Sequence, residues 1–470
     1  MEVLIRSFLD KINKNKVTIH CVGDAMIDEY YQVEVSRISP ENPVPVMLCK
    51  NEVTIKPGGA ANVAYQFKNT NVDVELISFG NKETKKLFSN ENFKFVFNPC
   101  EAKLPIKKRF MQNNFQVAPR LDVEFPNYNL DQNQVDKNHE FIQNYVHTCS
   151  NPNVVILSDY NKGFFNTKVN YIELYKKSLT VVDPKSLDLN KWKNCTVFKP
   201  NTKEAFELSG LKDWKEQCLF FKKQINCHSV IITDAGNGIK GLEGDDFFFY
   251  YSDYNPDYAN SVIGAGDCFA AFLSLALAHN FTVKESSIIA YHAGLIYVKQ
   301  KLNRPIVLAE LILDKIVKPY DLIKRDFKLA FTNGCFDILH KGHIETLKFA
   351  KSKADKLIVA LNSDESIKNL KGPSRPVMSF EHRAKVLSSL EFVDFVIKFD
   401  ESTPLDLIKT IQPEVLVKGG DYNSEDVVGK DFVNEVCIAP FIENYSSTNF
   451  IKNMGGHWNL VFDPLKDYQI

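Results

Sequence analysis

Short apolar or β-branched runs, each followed by turn residues and a helix-like stretch, recur along the chain at 17–22, 154–157, 180–182 and 229–232. Runs of that length alternating with helical segments bury a mostly parallel sheet between helices, which sets the fold class as α/β. The pattern then starts again. Residues 328–331 form a new strand, followed by Thr332-Asn333-Gly334, a helix-like stretch over 343–353 and another strand over 357–361. A charged, weakly periodic piece containing Pro319 precedes this restart. The expected organisation is a first domain over 1–318, a linker over 319–327 and a second domain over 328–470, and 470 residues suit two large domains.

Charge and composition exclude several classes. Lys+Arg is 57 and Asp+Glu is 58, so no bulk basicity points to nucleic acid. The longest mostly apolar run, 269–278, falls short of the ~18 residues of a membrane span, and the N-terminus lacks a signal-peptide core. Ten cysteines include no C-x-x-C pair, which fits a reducing cytoplasm.

The sharpest feature of the first domain is Ser261-Val-Ile-Gly264-Ala265-Gly266-Asp267, running into an alanine-rich helix. Glycines at a helix start let the backbone approach a ligand, and the unpaired N–H groups there attract phosphate. Asp267 at that edge suits a general base that takes the proton of an attacking hydroxyl. Near the N-terminus a strand ends in Gly23-Asp24, with Asp28 four residues on. Carboxylates at such a strand end face the ligand crevice of an open sheet and accept hydrogen bonds from polyols. Pro57-Gly58-Gly59-Ala60-Ala61-Asn62 again runs glycines into a helix. Lys199-Pro200-Asn201 with Glu204 offers oxygen ligands for Mg²⁺ through its waters, and Thr233-Asp-Ala-Gly236-Asn-Gly238 closes a further strand.

In this order and spacing, the five pieces resemble the ribokinase-like sugar kinases over residues 15–310. The resemblance implies a central sheet with helices on both faces and a small β lid. It implies Asp267 as catalytic base and the N–H groups of Gly264, Ala265 and Gly266 as anion hole. Asp24, Asp28, Gly58, Gly59 and Asn62 would contact sugar. Asn201 and Glu204 would lie near Mg²⁺ and phosphates, and Thr233, Gly236 and Gly238 near the nucleotide. The run Gly23 to Tyr31, the segment Ser36 to Val46, Lys108-Arg109 and Arg120-Leu-Asp122 look like the heptose 7-phosphate kinase branch. Lys108, Arg109 and Arg120 would then hold the existing phosphate. Two departures stand out. Ser261 and Ile263 replace the family's Asp and Thr, so the resemblance does not carry over a monovalent cation. Asn161, in Ser158-Asp159-Tyr160-Asn161-Lys162-Gly163, stands where glycine is usual.

The second domain opens with Phe331-Thr332-Asn333-Gly334-Cys335-Phe336-Asp337-Ile-Leu-His340-Lys-Gly342-His343. Histidines three apart at a helix start share one face, where imidazoles can donate to phosphoryl oxygens as charge grows. With Cys335 the one further ligand nearby, zinc is not expected. The string resembles the H-x-G-H nucleotidyltransferases over 328–452. The resemblance implies that His340 and His343 stabilise the α-phosphoryl transition state. Lys371 and Arg383 would counter phosphate charge, and Ser446, Ser447 and Thr448 would bind the triphosphate. Thr332, Asn333, Phe336 and Asp337 would frame the nucleotide, with Asp364 and Asp421 facing sugar or ribose. An ionised phosphate nucleophile needs positive hydrogen-bond donors rather than a carboxylate base.

A kinase followed by such a transferase resembles the family of bifunctional heptose 7-phosphate kinase/heptose 1-phosphate adenylyltransferases. The resemblance implies ATP with Mg²⁺, heptose phosphates as substrates and ADP-heptose for lipopolysaccharide synthesis; a homo-oligomer, a dimer, is expected separately from it. The alternatives are another sugar phosphate or CTP in the second half, and a non-catalytic sugar-phosphate-binding first half. The tail 455–470 is not expected from the family.

Overall fold

The computed structural model describes residues 1–98, 101–112, 115–149, 151–251, 263–300, 304–312, 315–323, 325, 327–420 and 423–440. It divides into two units, Met1–Ile306 and Val307–Ile470.

A nine-stranded sheet forms the body of the first unit. Its order is Asp246–Tyr250, Ile239–Glu243, Ser229–Thr233, Val197–Phe198, Leu179–Asp183, Val154–Ser158, Val17–Gly23, Val72–Ile77 and Lys94–Val96. The pairs from Lys94–Val96 through Ser229–Thr233 are parallel, and the last two are antiparallel. Val154–Ser158 is buried along its whole length, as a strand covered by helices on both faces must be. The helix Ala265–Ala278 is apolar on every side and buried from Asp267 to Ala278, so it belongs inside the domain.

A second, five-stranded sheet is the expected lid. Ala25–Ile38 lies between Pro45–Gly59 and Ile106–Gln112, and Phe115–Gln116 and Leu121–Val123 both pair with Ile106–Gln112. Asp28 sits opposite Lys107, Glu29 opposite Lys108 and Tyr30 opposite Arg109. Side chains alternate faces along a strand, so Lys107 and Arg109 share one face and Lys108 takes the other.

The second unit is built on a parallel five-stranded sheet. Its order is Phe395–Phe399, Lys356–Asn362, Leu329–Gly334, Val415–Lys418 and Glu435–Ile438. The unit begins at Val307, ahead of the expected boundary at 318, and 319–327 is not a free linker. Val317 N–H donates to Val396 O (2.9 Å), Val396 N–H to Lys315 O (2.8 Å) and Arg325 to Ile411 O (2.8 Å). Charges and Pro319 marked the surface of this segment in the sequence. Burial of Val317 and Leu322 ties it to the sheet.

Candidate active sites

In the first unit, a cavity of about 240 Å³ lies between the lid and the C-terminal edge of the main sheet. Asp267, in the first turn of Ala265–Ala278, lines it together with Asp28, Gly59, Asn62, Gly264 and Gly266. Gly264 caps the helix at φ +78°, and a Cβ there would lie 2.5 Å from the Tyr297 hydroxyl and 2.9 Å from Asn62 Nδ2. Only glycine brings the helix start this close. Gly59 has φ +58°, and its Cβ would meet Asp24 O at 2.3 Å. That contact seats the short helix Ala60–Tyr65, which carries Asn62. A Cβ on Gly58 would press on the Asp28 carboxyl at 3.2 Å.

Asn62 Nδ2 donates to Asp267 Oδ2 at 2.5 Å, and Asn62 Oδ1 accepts from Gln66 Nε2 at 3.0 Å, which fixes the amide's orientation. Tyr160, which the motifs did not single out, donates its hydroxyl to Asp267 Oδ1. Burial pushes the Asp267 carboxyl above its ordinary range, and the bonds from Tyr160 and Asn62 oppose that.

Three cations line the same cavity: Lys107, Arg109 and Arg120. Arg109 is buried, and its guanidinium lies 3.8 Å from Asp28 Oδ1. Among the described residues Arg109 Nε and Asp28 Oδ1 make no hydrogen bond, the state of groups shaped for a ligand. Burial lowers the Lys107 pKa and raises that of Asp28. Arg120 is held by a two-pronged bond to Asp122 at 2.5 and 2.7 Å.

Two expected sugar contacts lie elsewhere. Lys108 is on the far face of the lid, 3.7 Å from Glu29, and Lys107 takes the place expected for it. Asp24 is fully buried and spent on the protein itself. It accepts from Tyr128 OH (2.9 Å) and from the N–H groups of Tyr160 (2.9 Å), Lys162 (3.2 Å) and Phe164 (2.9 Å). Asn161 in that loop has φ +55°, the conformation that explains glycine as the usual residue.

Asn201 caps the helix Thr202–Ser209 and exchanges bonds with Glu204. Asn201 Oδ1 accepts from Glu204 N–H and Glu204 Oε2 from Asn201 N–H, both at 2.9 Å. Glu204 Oε1 also takes Lys185 Nζ at 2.9 Å. No three His, Cys, Asp or Glu side chains converge on a metal site among the described residues. Asn201 Oδ1 and both Glu204 oxygens already accept from protein donors, a donor set that suits Mg²⁺ through its waters. Thr233 pairs with Asn201 in an isolated bridge, and Tyr291 OH donates to Gly236 O at 3.1 Å. A Cβ on Gly238, at φ +102°, would meet Tyr250 O at 2.3 Å. Ser261 lies outside the described residues, while Ile263 lines the cavity.

In the second unit the two histidines do meet. His340 caps the helix Lys341–Ser352 and His343 lies in its first turn. Phe336, at φ +41°, packs on His343 with ring centroids 4.9 Å apart. Burial holds both imidazoles below their ordinary pKa, His343 down to about 4, with His340 and Lys371 adding to the shift on His343. Burial therefore favours the neutral imidazoles in the free protein. His340 Nδ1 is buried without a partner among the described residues. Asn333 Oδ1 accepts from Lys418 Nζ at 2.5 Å, and Thr332 is buried at the same strand end.

Two expected nucleotide contacts are instead framework. Arg383 is 1% exposed and binds Met378 O, Cys335 O, Asn362 O and Asp364 Oδ1 at 2.6–2.9 Å, leaving no free face for phosphate. Asp337 is closed off by Arg375 Nε (2.6 Å) and by the N–H groups of Val377 (2.8 Å) and Met378 (3.0 Å). Burial would raise its pKa, but these donors outweigh it and hold the carboxyl below its ordinary range. Asp421, Ser446, Ser447, Thr448 and the 455–470 tail lie outside the described residues.

Residues 17–305 match the pfkB family of carbohydrate kinases, and residues 331–453 match a family described as cytidylyltransferase-like. Fold and sites thus define a carbohydrate kinase joined to a nucleotidyltransferase, an enzyme with two activities on one chain. The chain is 36% identical to the bifunctional protein HldE of Campylobacter fetus, over 94% of this chain and 100% of that one. It is 34% identical to HldE of Helicobacter hepaticus, over 92% and 95% respectively. The chain belongs to the bifunctional HldE family. Among solved structures, phosphofructokinase-2 of Escherichia coli aligns with 62% of this chain and 94% of its own at 16% identity, TM-score 0.49. Among the described residues no helix is long and apolar enough to cross a membrane.

Proposed function

We propose that the first unit transfers the γ-phosphoryl group of ATP to O1 of D-glycero-D-manno-heptose 7-phosphate. The second then joins heptose 1-phosphate to ATP, giving ADP-heptose and pyrophosphate for lipopolysaccharide core synthesis. A phosphatase from another chain removes the 7-phosphate between the two steps. The observation that carries the reading is one cavity holding a buried carboxylate at a helix start and, across from it, Lys107, Arg109 and Arg120. A sugar that already bears a phosphate needs that cationic wall. Asp28, Asn62 and the glycine edge suit its hydroxyls.

Asp267 takes the proton of the attacking hydroxyl, and the N–H groups of Gly264, Ala265 and Gly266 face the charge on the transferred group. Mg²⁺ with ATP would supply charge neutralisation, and Asn201 and Glu204 would hold it through its waters. In the second unit the nucleophile is an ionised phosphate, so positioning and charge stabilisation suffice. His340 and His343 donate hydrogen bonds to the α-phosphoryl oxygens, and Lys371, near enough to depress the His343 pKa, supplies positive charge.

The test incubates the full chain with ATP and heptose 7-phosphate, with and without a phosphatase. ADP release in both and ADP-heptose only with the phosphatase are expected. A panel of nucleotides against heptose 1-phosphate completes it. A clear preference for CTP rejects the second half of the reading, and absence of ADP release rejects the first.

A further inference from the structure

We propose that Tyr160 is a positioning residue of the kinase site, holding the Asp267 carboxylate in place through its phenol. The inference rests on the reading of Asp267 as the base. Each oxygen of Asp267 is claimed once, Oδ1 by Tyr160 OH and Oδ2 by Asn62 Nδ2. A carboxylate offers about four lone-pair sites, so capacity remains for an incoming hydroxyl while rotation about the carboxyl bond is blocked.

Tyr160 is itself fixed from behind. Its N–H donates to Asp24 Oδ2 at 2.9 Å, in the cluster that also ties down Lys162, Phe164 and Tyr128. Gly23 lets the strand end meet this loop, since a Cβ there would fall 2.0 Å from Ser158 O. The order of support is therefore Asp24 to the loop, the loop to Tyr160, and Tyr160 to the base. Lys107 lies 5.3 Å from the centre of the Tyr160 ring, so the same phenol borders the cationic wall.

When the sugar oxygen bonds to the γ-phosphorus, the bond to the β–γ bridging oxygen breaks, ADP leaves, and the hydroxyl proton passes to Asp267. That transfer needs the carboxylate ionised. Burial opposes ionisation, and the Tyr160 bond is first among the influences that favour it, ahead of Asn62, Lys107 and Lys199. Asp28, Asp183, the Tyr297 phenol and the Cys268 thiol also interact electrostatically with Asp267, and Arg109 and Arg120 line the same cavity.

The experiment measures ADP release by the full chain with ATP and heptose 7-phosphate between about pH 5 and 9. It compares the native protein, Tyr160→Phe, Asp267→Asn, and protein carrying 3-fluorotyrosine at position 160. A hydrogen bond to a charged group predicts that Tyr160→Phe lowers kcat about tenfold or more near pH 7, with KM changed little. The acid limb of kcat/KM moves to higher pH, and activity recovers in part on the alkaline side. Fluorotyrosine, a stronger donor of the same shape, moves the limb the other way. Native kcat in Tyr160→Phe, a loss uniform across pH, or an unmoved limb with fluorotyrosine overturns the proposal. If Tyr160→Phe shows no cooperative melting, the fluorotyrosine arm decides alone. Retained turnover in Asp267→Asn overturns the reading of the base, separately from the role of Tyr160.

Discussion

The ring of His343 stacks on that of His340, with centroids 3.7 Å apart and planes 21° from parallel. His340 caps the helix and His343 lies in its first turn, where the backbone N–H groups have no intrahelical partner. His343→Ala is expected to lower pyrophosphate release from ATP and heptose 1-phosphate by about 10²-fold or more. ADP release by the kinase half continues. Asp267→Asn has the opposite pattern. Joint loss of both activities in either folded variant would contradict separate sites.

Lys107 and Lys108 are sequence neighbours on opposite faces of the lid. Lys107→Ala is expected to raise KM for the sugar phosphate roughly 10- to 100-fold, the size of a lost charged hydrogen bond. Lys108→Ala, which gives up an ion pair with Glu29, changes KM less than about threefold. Steady-state kinetics on the two variants decides between the faces.

Arg383 spends its guanidinium on three carbonyls and Asp364. Arg383→Met leaves the buried Asn362 carbonyl and three part-buried acceptors without this donor, and about 1–3 kcal/mol of the second unit's stability goes with it. Thermal melting of the variant reports this directly. A large rise in KM for ATP with unchanged melting would mean that Arg383 meets phosphate after all.

Burial holds His20 and His139 neutral in the first unit, each with a pKa lowered from 6.5 to about 4. Unfolded, these imidazoles take up protons near 6.5, so between 6.5 and 4 the unfolded chain binds more protons than the folded one. Their contribution to stability is full above 6.5 and is lost as pH falls towards 4. The melting temperature should drop through that window, and His139→Phe should flatten the slope. An equal slope in that variant rejects the contribution of His139.

Strand–helix alternation and the glycine-rich turns were legible because backbone demands are written locally. Gly264, Gly59 and the His340/His343 spacing each carry their geometry in three or four residues. Pairing across the fold was not. Nothing near Asp24 announces that the amides of Tyr160, Lys162 and Phe164 converge on it, and nothing near Arg383 names the carbonyls it serves. Both are charged residues whose type suits a ligand and whose partners are the protein. Lys108 and Arg109 stand together in the family-like string, but as strand neighbours they take opposite faces. Which of these faces looks inward is set by the register with Asp28. Alternation with Arg109, two positions from Lys107, was the available signal.

The groups around the kinase cavity come from two different layers. Asp28, Lys107 and Arg109 stand on lid strands, whereas Asp267, Asn62 and Tyr160 stand on helices and a loop of the main body. On the proposed function, recognition of the sugar phosphate and removal of its proton fall to separable pieces of chain. Lid substitutions are the natural route to new acceptor preferences, because the two side chains that hydrogen-bond the proton acceptor, Tyr160 and Asn62, lie outside the lid.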